Sequence, residues 1–253
     1  MNQWSIFLLM LLTFHMKMDL AQEIQLSDNP EIFDDQYKGC RLKMDKIIPS
    51  ILKSENASNV DFTNDWLQAA QYWKTIKLNI KKLPKGFRNE HGIALVAYTG
   101  NMYKAFNKAT RDVGKLIQNY KKNFNFKAMH YYLTMAVRLL SNKVNKLVYR
   151  GVRNIQFVPS NNSKGGIRFG QFISTSADKA TAMNFGNSSF FTIKTRLGVD
   201  IQRFSLYPSE KEVLIPGYEI FKLLSFNKET HSFSLISKGL SKSRFNCAYF
   251  KSI

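Results

Sequence analysis

Leu147-Val148-Tyr149-Arg150-Gly151 marks the point where this chain changes character. Before about Lys146, apolar residues recur at spacings of three and four, the period of a helix with one buried face. Beyond it they come in short or alternating runs broken by turn residues. Examples are Ile155-Gln156-Phe157-Val158, Phe190-Phe191-Thr192-Ile193, Glu212-Val213-Leu214-Ile215 and Tyr218-Glu219-Ile220-Phe221. Helices first and strands later predicts an α+β fold. Its helical part covers about residues 33–145 and its β-rich part about 146–253.

Upstream, Thr63 is placed to cap a helix whose apolar face uses Trp66, Ala69, Ala70, Trp73 and Ile76. Pro84 and Gly86 end that stretch. His91 to Tyr98 reads as a short buried helix. Met102, Phe106, Ala109 and Val113 mark the next one, with Gly114 as its expected stop. Met129, Leu133, Ala136, Leu139 and Leu140 mark another. Downstream, Asn161 to Gly166 reads as a loop, and Ala177 to Phe185 as a turn or two of helix among the strands.

Three pieces of the C-terminal half carry chemistry. Tyr149-Arg150-Gly151 offers a fixed cation, Phe172-Ile173-Ser174-Thr175-Ser176 a hydroxyl cluster, and Glu210-Lys211-Glu212 a pair of carboxylates. Cleaving a nicotinamide–ribose bond develops positive charge on the sugar, which a carboxylate can stabilise. A pyrophosphate needs a cation, and arginine supplies a bidentate fork. Hydroxyls can orient the carboxylate and the ribose. On an extended segment, residues two apart share a face, so Glu210 and Glu212 can serve one site. Each piece alone has a plainer reading: a surface arginine, a helix cap, a solvated strand edge. No G-x-G-x-x-G, Walker A or G-x-S-x-G occurs, and two Cys with four scattered His give no zinc spacing. Rossmann dehydrogenases, P-loop enzymes and α/β-hydrolases therefore lose support.

The order cation, hydroxyl, carboxylate pair resembles the R-S-E triad of the arginine-specific ecto-mono-ADP-ribosyltransferases. The likeness extends over about residues 33–250. It takes in Asp34-Asp35-Gln36-Tyr37-Lys38-Gly39-Cys40, Ala94 to Thr99, Tyr103-Lys104-Ala105-Phe106-Asn107, His130 to Thr134, Phe169 to Ser176, Glu210 to Pro216 and Asn246-Cys247-Ala248-Tyr249. The resemblance implies a mainly antiparallel β core of two sheets under the helical part. It implies NAD+ (with NADP+ alongside) as co-substrate and no metal. Acceptors would be arginine-bearing proteins or small guanidino compounds. Arg150 would hold NAD+, Ser174 support the site, Glu212 act as the catalytic glutamate and Glu210 confer arginine specificity. Tyr98, Gln171 and Ser205 carry over as NAD+ contacts. A second, mid-chain disulfide common in the family has no cysteines here. Alternatives are an NAD+ glycohydrolase, with water in place of arginine, and a catalytically silent basic protein for glycosaminoglycan or membrane.

The ends and the bulk fit an exported protein. Met1 to Ala21 reads as a signal peptide, with an apolar run too short to span a bilayer; a buried N-terminal helix is the other reading. Residues 22–253 then form one domain. The last residues show neither the polar spacer nor the hydrophobic tail of a lipid anchor, which predicts release into the extracellular space. Export favours a disulfide between Cys40 and Cys247, and the resemblance implies the same pair; two buried thiols are the alternative. A bridge over so long a loop is worth roughly 5 kcal/mol at most. Asn56, Asn161 and Asn187 head sequons that permit glycosylation. The apolar fraction of 44%, with 20 Phe and 11 Tyr, supports a real core, and the net charge of +19 draws the surface towards anions. No nucleic-acid motif is present.

Overall fold

The computed structural model describes residues 22–160 and 166–251. The signal-peptide reading and the Asn161 sequon fall outside these residues. The helices come first: α1 (Arg41–Ser58), α2 (Val60–Ile76), α3 (Asn89–Thr99), α4 (Met102–Lys115), the short α5 (Tyr120–Asn123) and α6 (Lys127–Leu140). They share one apolar core, with Met44, Trp66, Trp73, Leu95, Phe106 and Leu133 all buried. α3 is buried nearly all round, as its unbroken apolar run requires.

Several local readings are corrected. Asn59, not Thr63, caps α2: its side chain accepts the Phe62 N–H at 3.0 Å. Thr63 lies inside the helix and donates back to the Asn59 carbonyl at 3.0 Å. Gly114 does not stop α4. A Cβ there would stand 2.1 Å from the Glu31 carbonyl oxygen, so glycine is required for the N-terminal segment to cross the helix. α1 has no counterpart in the sequence reading, although Met44, Ile47, Ile48, Ile51 and Leu52 have helical spacing. Pro49 inside it masks the pattern.

Strands dominate beyond residue 145. They are β2 (Lys146–Val152), β3 (Ile155–Pro159), β4 (Ile173–Ser176), β5 (Ser189–Thr195), β6 (Val199–Asp200), β7 (Glu212–Ile215), β8 (Glu219–Asn227) and β9 (Ser232–Ser241). The helix α7 (Lys179–Asn184) lies between β4 and β5, capped by the Asp178 side chain. Seven strands form one sheet in the order β6-β7-β4-β2-β5-β9-β8. Its pairs are antiparallel except β5 with β9. A second, two-stranded sheet pairs β3 in parallel with β1 (Gln22–Leu26). The fold is α+β, as the order of patterns predicts.

The sheet is buried on both faces near β4 and β7. Leu214 and Phe172 enter the helical core, whereas Val213, Ile215 and Ile173 enter a second core with Phe169, Phe191 and Phe233. That explains why Glu212 to Ile215 reads as a continuous run rather than an alternation.

The two chain ends are tied together. Cys40 and Cys247 form a disulfide. The Asp35 carboxylate accepts the N–H groups of Tyr37, Cys247 and Ala248 at 2.7–2.8 Å. Asp34 pairs with buried Arg168 and accepts the N–H of Arg244 at 3.1 Å. Asn246 bonds both main-chain groups of Lys38. The opening and closing motifs are therefore contact partners.

Candidate active site

The three chemical pieces fall on adjacent strands. β7, β4 and β2 are neighbours, and Tyr149, Ser176 and Glu212 stand in one register across them. Glycine is required after Arg150. A Cβ on Gly151 would lie 2.3 Å from the carbonyl oxygens of Ala182 and Gly186, so α7 and its exit press directly on β2. The contact shapes one wall of a cleft of ≈ 560 Å³ lined by Arg150, Ser174, Glu210 and Glu212.

Arg150 is held by its own sheet: one guanidinium nitrogen donates to the Ser174 carbonyl at 2.6 Å. Burial pulls its pKa below the ordinary value, against the opposing pull of Tyr98, Tyr103 and Glu212. Glu212 is 4% exposed. Burial pushes its carboxyl up to about 7; Ser174 acts downward, Glu210 upward and Arg150 downward. Glu212 lines the cleft, so its carboxylate offers acceptor capacity there.

Glu210 reaches the same cleft by a different route from the one its spacing suggests. It ends a 3-10 turn, Pro208–Glu210, and Lys211 takes a left-handed conformation at φ 48° before β7 begins at Glu212. The Ser176 hydroxyl donates to the Glu210 carbonyl at 2.7 Å and fixes that turn. The Lys211 ammonium lies 3.3 Å from Asp178. Glu210 stays partly exposed, and burial raises its carboxyl.

Tyr98 and Gln171 line the cleft as well. The Tyr98 hydroxyl donates to the Phe172 carbonyl at 2.9 Å, and Gln171 Oε1 accepts from Arg111 at 2.6 Å. Ser205 is not among the lining residues. It is 1% exposed, and its hydroxyl accepts the Tyr207 N–H at 3.0 Å, so it shapes the loop ahead of Glu210. Sequence reasoning missed Lys104, Arg111, Arg153, Phe185 and Tyr207 on the walls. Lys104 lay inside a motif already noted; nothing local marks the others.

These residues fit a dinucleotide. The volume falls within the roughly 300–1,000 Å³ of ligand clefts. Arg111, Arg150 and Arg153 supply cations for a pyrophosphate, the aromatic walls suit flat rings, and both carboxylates lie where positive charge can be met. Among the described residues no group of three His, Cys, Asp or Glu gathers as a metal site. None of their helices is long and apolar enough to cross a membrane.

Comparison with known proteins agrees with this geometry. The model of the NAD:arginine ADP-ribosyltransferase family matches residues 26–243. The chain is 40% identical over 235 residues to ecto-ADP-ribosyltransferase 5 of Bos taurus, covering 88% of this chain and 74% of the relative. It is 37% identical over 244 residues to GPI-linked NAD(P)(+)--arginine ADP-ribosyltransferase 1 of Mus musculus, covering 91% and 75%. The crystal structure of a mutant of the eukaryotic mono-ADP-ribosyltransferase ART2.2 in complex with NAD superimposes with a TM-score of 0.79 at 39% identity. It covers 89% of this chain and 99% of that one.

Proposed function

This chain belongs to the NAD:arginine ADP-ribosyltransferase family, and on that premise we propose how its own residues move ADP-ribose from NAD+ to arginine. NAD+ supplies the ADP-ribosyl group on a nicotinamide leaving group. Arg150, anchored on the Ser174 carbonyl, holds the pyrophosphate end with Arg111 and Arg153 beside it. Glu212, steadied by Ser174, stabilises the charge that develops on the ribose. Glu210, at the partly exposed mouth, receives the acceptor guanidinium. The reading is carried by one observation: a carboxylate that is 4% exposed yet lines the cleft. An ionised group so placed acts where water cannot screen it.

Labelled NAD+ with agmatine tests the assignment. ADP-ribosyl-agmatine is expected as the main product. Free ADP-ribose alone would establish the glycohydrolase instead, and no turnover the silent binding protein.

The curated relatives reported above carry the names of ecto and GPI-linked enzymes, and we read this chain as acting outside the cell or at its surface. Secretion rests on reading Met1–Ala21, with its short apolar run Ser5 to Phe14, as a leader and residues 22–253 as one domain. N-terminal sequencing of protein from the medium should begin at Gln22; product found only in a phospholipase-releasable membrane fraction would replace secretion with an anchor. Exposed Lys43, Lys46 and Lys53 on α1, within a net charge of +19, support docking to anionic surfaces. Retention on heparin that weakens from low to physiological salt checks this; passage unretained at low salt refutes it.

A further inference from the structure

Strand register carries the active-site face well beyond the cleft. Glu212 of β7 stands opposite Ser176 of β4, and Ser176 opposite Tyr149 of β2. The same row continues through Thr192 of β5 and Ser234 of β9 to Ser225 of β8. Directly paired residues project to one side of a sheet, so all six share a face. The helical half covers that face at β7 and β4, where Leu214 and Phe172 enter the helical core. Farther out it is open: Tyr149, Thr192 and Ser234 are half-buried, and Ser225 is exposed.

A second row lies beside the first on the same face: Leu147 of β2, Lys194 of β5, Ile236 of β9 and Lys222 of β8. Apolar and cationic side chains alternate along it. Leu147 is 55% exposed, and both lysines are exposed. Neither row holds an Asp or Glu beyond Glu212 itself. A lysine on an edge strand blocks unwanted pairing, which accounts for Lys222 on β8, the last strand of the sheet. It does not account for Lys194, since β5 is flanked by β2 and β9, nor for the exposed leucine directly opposite it. Strands lie about 4.8 Å apart, which puts Lys194 about 14 Å and Lys222 about 24 Å across the sheet from Glu212. A typical protein interface covers about 800 Å² on each partner, a patch on the order of 30 Å across. One protein seated on these rows therefore also reaches the cleft.

We propose that this open sheet face, centred on Leu147, Lys194, Ile236 and Lys222, docks the acceptor protein through a surface of carboxylates interleaved with apolar side chains, next to the arginine that enters the cleft. The proposal rests on the reading of the cleft as the site of arginine transfer. Charge complementarity selects the partner. Two lysines with no acid between them attract carboxylates and repel a second copy of this chain, whose net charge is +19. Leu147 and Ile236 pack against the apolar side chains between those carboxylates. Attraction this far from the reacting atoms raises the encounter rate and leaves the chemistry alone. A small guanidino acceptor does not reach the rows and gains nothing from them. The enzyme thereby favours arginines carried by acidic surfaces.

The test compares kcat/KM for three acceptors. They are agmatine, a peptide with one arginine and a Glu-Leu-Glu-Leu block about four to seven positions away, and the same peptide with Gln for Glu; an extended chain covers about 3.3 Å per residue, so the block falls over the rows. Versions with the block before and after the arginine cover both chain directions. At low salt the Glu peptide in its better direction should exceed its Gln counterpart about tenfold, with the margin closing as salt rises. Lys194→Glu/Lys222→Glu should abolish or reverse that preference. Lys81→Glu/Lys82→Glu makes the same change of net charge at exposed lysines elsewhere and should keep it. Agmatine transfer should be unchanged in both. Lys194→Gln/Lys222→Gln should remove the preference without reversing it, and it carries the test if the glutamate pair does not fold. An equal loss of preference in the two glutamate variants overturns the proposal by reducing it to net charge. Phosphatidylserine vesicles that bind the wild type but not Lys194→Glu/Lys222→Glu, with the peptide preference intact in that variant, overturn it in favour of a membrane surface. Absence of agmatine transfer by the wild type removes the reading of the cleft itself, whereas agmatine transfer with equal rates for the two peptides sinks only the docking face.

Discussion

Glu55, in the helical half, and Glu212, in the cleft, are equally sealed: each is 4% exposed, and burial pushes each up to about 7. Their surroundings differ in kind. The Glu55 oxygens accept the N–H groups of Lys127 and Ala128 at 2.7 and 3.0 Å, so a side chain from α1 caps the start of α6. Those N–H groups are the ones a helix cannot satisfy internally. Glu212 has an open cleft in front of it and no such pair of N–H donors among the described residues. A displaced pKa thus marks burial in both places and function in only one. Acceptor capacity left facing a cavity distinguishes the second.

One substitution made in both places should break the parallel. Glu212→Gln keeps the shape and removes the charge. Transfer and NAD+ hydrolysis should both fall about 10²–10³-fold, the usual loss for one electrostatic stabiliser, with the melting temperature unchanged. Near-normal turnover in the folded variant would end the catalytic assignment. Glu55→Gln should do the reverse. Its amide NH2 opposes one of the two helix N–H groups, which costs about 1–3 kcal/mol and lowers the melting temperature. Turnover per folded molecule should be that of the wild type. A loss of rate at constant stability would mean that Glu55 reaches the cleft after all.

The smallest expected effect sharpens the contrast within the cleft itself. Glu210→Gln turns a charge-assisted bond to the acceptor guanidinium into a neutral one, worth about half as much. Arginine transfer should drop about tenfold while nicotinamide release persists. Equal losses of both rates would show that Glu210 does not select the acceptor.

Much of the fold was legible in residue spacing. The periods of α2, α3, α4 and α6 and the runs of β2, β3, β5, β7 and β8 match the elements seen. What escaped did so for local reasons. Pro49 disguised α1, and β1 is short and gains its partner from β3 more than a hundred residues away. Gly114 reads as a stop because a glycine near a helix end usually is one; here the crossing Glu31 segment needs the space. In the site, Arg150, Ser174, Glu210 and Glu212 were all named from sequence and do meet. Ser205 was named too, yet it faces its own loop.

The sequence by itself determined the inventory and the order: helices before strands, and one cation, one hydroxyl cluster and one carboxylate pair, each on or beside a strand. Spacing and side-chain chemistry are properties of the chain and survive without the fold. Only the tertiary structure decided which of those groups share a surface. Strand order brings β2 and β7 to either side of β4, although more than fifty residues separate them along the chain. A left-handed Lys211, not a shared strand face, turns Glu210 into the cleft. Burial and hydrogen-bond partners, which depend on neighbours distant in sequence, set the ionisation of Glu212 and the commitment of Tyr98. No local pattern encodes those long-range contacts, so they are visible only once the helical half has docked on the sheet.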